Sequence, residues 1–433
     1  MRSAAAVRKI ADLSVREAAI SEHDKADDRT RRPSGGTLLR NHHGGHAPVS
    51  YLELFFDLVY VFALTQISHL ILESMSWRGL AEAAVVFAAI WWAWMYTTWA
   101  SNWLDPERAP VRIVLLLVML GSLLMAVALP RAFDGGAQLF AFTYVAIQLF
   151  RTLFVAWALS RAEGESGLNM LRAALWFMAS GVFWIAGALA SDDTARLALW
   201  LVALAIEYAG PFALFHVPFL GRSTVQQWTI SGHHMAERAA LFIIIALGEG
   251  VVVTGRTFSE HAMTGANIAA FLTAFVGSVL MWWVYFDIGA QRGAELIEHH
   301  AEPGRVARNA YTYLHMPIVG GIILTAVADE LLLAHPEGHG EPALIAFQCA
   351  GLAIYLLGVG SFKRFASPHG RFPLSHLAGL CLLAPVGLWA WLASAPALLF
   401  GAATLLVLAI VAIWEWVSFH GGWIERWQRW RSR

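Results

Sequence analysis

Polar and charged positions dominate the first 47 residues, and from Tyr51 onward the pattern reverses. Apolar runs then recur to about residue 418, broken by short polar stretches. A bilayer core roughly 30 Å thick takes about 20 residues of helix. The runs predict twelve membrane-spanning helices, near 51–72, 79–99, 110–130, 137–159, 169–190, 195–219, 235–255, 264–286, 308–329, 342–361, 375–393 and 396–418. Only residues 394–396 part the last two. The expected fold is all-α, a polytopic transmembrane helical bundle. Residues 1–47 have no apolar core behind their early positive charges, so they are not a secretory signal. They read as a disordered cytoplasmic arm, with a weak surface helix over residues 7–20. Residues 419–433, rich in Trp and Arg, read as a tail in the membrane interface.

Composition agrees with that pattern. Of 433 residues, 58% are apolar and 14% charged, too few charges to wet a soluble protein of this size. The 20 tryptophans suit the boundary between lipid and water. Net charge is −1, so no bulk attraction to nucleic acid is implied; the expected surroundings are membrane lipid. Arg and Lys in short connections set the orientation. Connections after even-numbered spans hold Arg108, Arg161, Arg222, Arg292, Arg305, Arg308, Lys363, Arg364 and Arg371. Those after odd-numbered spans hold Arg78, Arg131, Arg196 and Arg256, beside Asp192, Asp193, Asp329, Glu330 and Glu337. The even connections and both termini are therefore expected in the cytoplasm, with the chain in a bacterial inner membrane.

Several chemistries lack their residues. Cys349 and Cys381 lie in apolar runs and give no disulfide framework or zinc spacing, reading as buried small hydrophobes. The three lysines, Lys9, Lys25 and Lys363, fall outside the apolar runs, so a Schiff-base cofactor has no attachment point. No HExxH pair, Walker A sequence or Rossmann glycine fingerprint is present. The groups His42, His43, His46 and Glu295, Glu298, His299, His300 read as solvated. ATP-driven pumping, a metal site and a cofactor are not expected.

The spans divide into two halves of six, 48–222 and 223–418, with weak internal similarity. Span one opens on Glu53 and runs into Leu58, Val59, Tyr60, Val61 and Phe62; span seven opens on Glu237 and runs into Phe242, Ile243, Ile244 and Ile245. Trp91-Trp92 of span two matches Trp282-Trp283 of span eight, and Leu120-Gly121 of span three matches Val319-Gly320 of span nine. Six is even, so the halves would enter the membrane in the same sense, as parallel repeats. Chance agreement between apolar helices is the alternative.

A charge at the bilayer centre costs about 2.5–3.5 kcal/mol on insertion scales, so ionisable residues inside spans are the functional candidates. Glu53 and Asp57, four apart, share a face of span one with Tyr60 and Ser68. Two close carboxylates in a low-dielectric site resist double ionisation, as a proton-coupled carrier would need. The plainer reading leaves Glu53 at the interface and Asp57 as a cap or ion pair. Glu237 opens span seven and is expected to point inward while Arg238 snorkels to lipid phosphates. Glu249, about 18 Å deeper by helical rise and next to Gly248, is the leading candidate. Glu207 precedes Pro211, which opens or kinks a helix. It either serves a transport site or pairs with Arg151, the arginine well inside span four. His315, ahead of Pro317, is a proton relay or a satisfied hydrogen-bonding residue. Gln66 and Thr65 add polar atoms to span one.

Three segments carry a resemblance. Glu53-Leu54-Phe55-Phe56-Asp57-Leu58-Val59-Tyr60-Val61-Phe62-Ala63, continuing through Thr65-Gln66 and Ser68-His69, resembles the opening signature of the bacterial low temperature requirement A family. His234-Met235-Ala236-Glu237-Arg238 with Leu241-Phe242 and Leu247-Gly248-Glu249 is similar to a second family motif. Tyr313-Leu314-His315-Met316-Pro317-Ile318-Val319-Gly320-Gly321-Ile322 is similar to a third. They fall in order, and the resemblance covers residues 50–420. The long polar arm departs from the family pattern. The resemblance implies a multi-pass membrane protein and supports the candidates above. The family name reflects a growth phenotype in the cold and supplies no reaction.

These readings point to a secondary transporter or permease for a small molecule or ion, coupled to protons or sodium. Spans one, six, seven and nine would line a polar midplane cavity. Asp57, Glu249 and Glu207 would be its protonatable groups, Arg151 a counter-charge and His315 a relay. Two alternatives use the same residues. One is an intramembrane enzyme acting on a lipid or isoprenoid, with the acids and His315 as acid–base groups. The other is a stress-related scaffold or sensor in which polar residues only join helices. The sequence names neither a substrate nor an oligomeric state.

Overall fold

A computed structural model describes residues 37–40, 48–162, 164–224, 231–287, 306, 308–366 and 370–419. The chain divides into two compact units, Met1–Leu38 and Leu39–Arg433. Only Thr37 and Leu38 of the first are described, and every helix belongs to the second. The surface helix expected over residues 7–20, the two His-containing groups and the tail beyond Phe419 lie outside the described residues.

Twelve α-helices are present among the described residues: α1 (Tyr51–Glu73), α2 (Trp77–Trp103), α3 (Ala109–Ala128), α4 (Ala137–Ala162), α5 (Gly164–Leu189), α6 (Asp193–Ala209), α7 (Gly232–Ser259), α8 (Gly265–Phe286), α9 (His315–Ala334), α10 (Pro342–Phe365), α11 (Leu374–Leu392) and α12 (Ala397–Phe419). A π-helical turn, Arg308–Tyr313, leads into α9. No strand forms among the described residues, only isolated bridges. The helix starts are written in the sequence. Ser76, Asp192, Ser231 and Thr264 each accept a backbone N–H in the following first turn, and α3 and α10 open with proline. Ser50 and Glu53 form a full capping box on α1.

Eleven segments, α6 excepted, are long and apolar enough to cross a membrane. The expected sixth span, 195–219, is the one that changes: α6 has 17 residues and stops at Ala209. Pro211 ends the helix instead of kinking it, because it brings no N–H. The chain then folds back, with the Phe215 N–H donating to the Gly210 carbonyl at 2.9 Å. Leu214 (φ 51°) and Phe215 (φ 49°) are held in the left-handed region there. Large apolar side chains such as Leu117, Phe142, Val252 and Trp282 are exposed on the outside of the bundle, as lipid requires. Cys381 is exposed among them and Cys349 half-buried, so neither is the buried hydrophobe expected.

The two sets of six helices have the same neighbours. In each, the first packs on the second and third, and third to sixth pack in succession. The sixth returns against the second. Across the sets, α1 and α2 each meet α7 and α9. Helices α9 and α10 lie close because Gly321 and Gly351 face each other's backbones. A Cβ on Gly321 would sit 2.6 Å from the Tyr355 nitrogen and 2.7 Å from the Gly351 oxygen. Small residues of this kind let helices approach in lipid.

Candidate functional site

Two four-residue spacings meet where α1 and α7 begin. Glu53 and Asp57 project from one face of α1, and His234 and Arg238 from one face of α7. Arg238 Nη2 donates to Asp57 Oδ1 at 2.6 Å, and its Nη1 lies 3.6 Å from Glu53 Oε1. His234 Nε2 donates to Glu53 Oε1 at 2.8 Å, while its Nδ1 accepts from Asn102 Nδ2 at 3.1 Å. Glu53 Oε2 closes the capping box by accepting from the Ser50 N–H at 2.8 Å, and it also takes Arg40 Nη2 at 3.1 Å. Trp94 Nε1 adds a bond to Asp57 Oδ1 at 2.8 Å. All four ionisable side chains at the centre are buried. Both acids are thus ion-paired and do not form an isolated carboxylate pair, and Asp57 Oδ2 has no hydrogen-bond partner among the described residues. Arg40 belongs to the stretch expected to be disordered, yet its N–H donates to the Trp103 carbonyl at 2.8 Å.

Helix α2 is buried nearly all round along its second half. Each of its faces serves a different neighbour. Trp94, Thr98 and Asn102, one helical repeat apart, meet the charge cluster. The Ala93 carbonyl and Thr97 Oγ1 each accept from Arg151 Nη1 at 3.1 Å. Trp92, Tyr96, Trp99 and Trp103 face a cavity that is partly open to the outside. Arg151, Thr152, Pro211, Leu214, Phe215 and Arg308 complete much of its wall.

Arg151 is linked to Glu207, but not directly. Its Nη2 donates to Gln148 Oε1. Gln148 Nε2 donates to the Tyr144 hydroxyl at 2.9 Å, and Tyr144 donates to Glu207 Oε2 at 2.5 Å. Ser180 and Trp184 donate to the other oxygen of Glu207 at 2.7 and 2.9 Å. The expected contact between acid and arginine becomes a relay through two neutral side chains, because α4 presents them a turn apart between the two charges.

Residues 48–413 match the family described as bacterial low temperature requirement A protein. The chain belongs to this family. It is also 40% identical over 381 residues to an uncharacterized protein of Rhizobium meliloti (strain 1021), an alignment covering 88% of this chain and 92% of the relative. No solved structure matches. All three motifs that carried the resemblance lie inside the matched segment, so the residues placed here are those of a low temperature requirement A protein. They do not form one centre.

The remaining candidates of this family member fall in several places. Arg238 and Glu237 exchange their expected positions: Arg238 is buried, whereas Glu237 is half-buried and accepts from the Val49 N–H at 3.3 Å. Arg238 stands four residues after His234, so the two must share the face turned to α1. Tyr60 is buried with its hydroxyl 3.1 Å from Ser122 on α3 and takes no part in the cavity. Gln66 is half-buried along α1. His315 has both ring nitrogens engaged. A carbonyl only accepts, so Nδ1 donates to Ala310 O at 2.8 Å and Nε2 accepts from Tyr285 at 2.8 Å. Both nitrogens are thus satisfied by neutral partners within the protein. Glu249 is buried, with Oε1 lacking a hydrogen-bond partner among the described residues. It faces Thr65 and His69 of α1, and His69 also faces Glu330. This group lies in the second halves of α1, α7 and α9, away from the charge cluster at the starts of α1 and α7.

Lys363 is a further correction, since it is not outside an apolar run. It is buried in the last turn of α10, 2.7 Å from Glu415 on α12, and it also donates to the Val284 carbonyl at 2.5 Å. The sequence reading missed Glu415, His234, Asn102 and Trp94. The first stands inside a strongly apolar run, which was the available signal. His234 repeats the spacing of the acids it meets. Among the described residues no group of His, Cys, Asp and Glu is arranged to hold a metal.

Proposed function

We propose that this protein is a secondary transporter that binds a small solute in the α2-lined cavity and couples its passage to an ion held at Glu249. The carrying observation is the placement of two unlike polar sites. A buried arginine near the middle of α4 stands on a cavity wall, and a buried carboxylate with an oxygen unpartnered among the described residues stands in the second half of α7. Two further features support the reading. The halves share one set of helix neighbours, as parallel repeats would. Each half also sets an acid of its sixth helix toward a cation of its fourth: Glu207 toward Arg151 through the relay, and Glu415 onto Lys363. Strained Leu214 and Phe215 lie on the cavity wall, and backbone strain of this kind clusters at ligand clamps. The Arg distribution favours the cytoplasmic side of a bacterial inner membrane for the cavity end.

Reconstitution in liposomes with a pH-reporting dye inside tests the reading. Solutes are added in turn under an imposed proton gradient. A solute-dependent proton flux is expected, abolished in Glu249→Gln and in Arg151→Gln. Flux that persists in both variants, in folded protein, would overturn the assignment of these residues and favour a scaffold in which they only join helices.

A further inference from the structure

We infer that the cavity takes a small organic anion carried on a flat apolar body, of which an aromatic carboxylate is the simplest case. Such a ligand deepens the transport reading, and its binding depends on that reading only for passage across the membrane.

The charge requirement comes from Arg151. It is buried on the wall, and its hydrogen-bond partners among the described residues are the Ala93 carbonyl, Thr97 and Gln148, all neutral. A buried guanidinium without an adjacent carboxylate favours an anion beside it. Arg308 lines the same space, and no acidic side chain is among the described residues of the lining. Quaternary ammonium compounds also favour aromatic boxes, but the buried Arg151 guanidinium on the wall disfavours them.

Two further groups supply hydrogen bonds of the matching sense. Trp92 Nε1 and Thr152 Oγ1 both belong to residues on the cavity wall, both are buried, and neither has a partner among the described residues. An indole N–H only donates and a hydroxyl can donate, so both suit the oxygens of a carboxylate or phosphate. The body of the ligand is set by Trp92, Tyr96, Trp99, Trp103 and Phe215, whose flat faces offer stacking area.

The test is equilibrium binding by calorimetry, with the full chain in phosphatidylcholine nanodiscs and naphthoate compared with its neutral amide. The acid is expected to bind about tenfold or more tightly than the amide, as a charge-assisted pair on one ligand group gives. Arg151→Gln should erase that preference, and Thr152→Val should weaken the acid alone. Equal binding of acid and amide to the unaltered protein would overturn the inference. So would a preference that survives Arg151→Gln. If Arg151→Gln does not fold, the acid-to-amide ratio of the unaltered protein and of Thr152→Val still decides. Dihexanoyl phosphatidate displacing naphthoate more tightly than naphthoate binds would support the same anion chemistry with a lipid headgroup as its source. Naphthoate binding without uptake into liposomes would sink the transport reading and leave this one standing. Uptake of acid and amide alike would do the reverse.

Discussion

Arg238 sits between Asp57, at 2.6 Å, and Glu53, at 3.6 Å, with almost no solvent contact. Removing one partner of a buried ion pair leaves the other charge uncompensated, at about 3–5 kcal/mol. Asp57→Asn and Arg238→Gln are each expected to lower the unfolding temperature in detergent steeply. The double variant should lose less than the sum, which a double-mutant thermal cycle measures; additive losses would show that the pair does not act as a unit. His315→Phe, which forfeits bonds to Tyr285 and Ala310, should cost about 1–3 kcal/mol and leave solute flux in liposomes unchanged. Lost flux at full stability would restore the relay. At this scale the sequence showed half of the cluster. Glu53 and Asp57 sharing a face was legible, because spacing alone dictates it. That Arg238 and not Glu237 turns inward was not, because periodicity relates residues on one helix without saying which side meets the core. The matching spacing of His234 and Arg238, and Ser50-x-x-Glu53 as a capping signature, were the signals that could have decided it.

Among the elements, α2 and the α9–α10 pair carry the most specific expectations. Gly321 approaches the α10 backbone, and backbone has little room to yield. Gly321→Val is therefore expected to part α9 from α10 and to cost about 1–3 kcal/mol or more. Gly320→Ala, whose added carbon would meet the edge of the Phe87 ring at 3.4 Å, should be close to neutral. Thermal melts of the two purified variants check the contrast, and equal losses would refute the close-approach argument. Helix positions were legible from apolar run length, since the bilayer leaves few other folds. The end of α6 was not, because Phe212, Leu214, Phe215, Phe219 and Leu220 keep the run apolar after the helix has stopped. The cavity was not legible either. Its wall joins α2, α4, the turn after α6 and the π-helical turn before α9, which no local pattern links.

For the whole molecule, Trp91-Trp92 and Trp282-Trp283 suggested two related halves, and the two sets of six helices have equal lists of neighbours. What joins the sets at one end is the charge cluster, whose partners Asp57 and Arg238 stand 181 residues apart. Residues 48–222 expressed alone are expected to turn over rapidly in pulse-chase experiments. Co-expression with residues 223–433 should restore their lifetime, and equal lifetimes with and without the second piece would show that the cluster is dispensable. The same separation has a meaning in time. At about 5–20 residues per second of synthesis, α1 enters the membrane roughly 10–40 s before Arg238 exists. During that interval Glu53 and Asp57 are without His234 and Arg238, so α1 receives its buried partners only after more than half of the chain has been made.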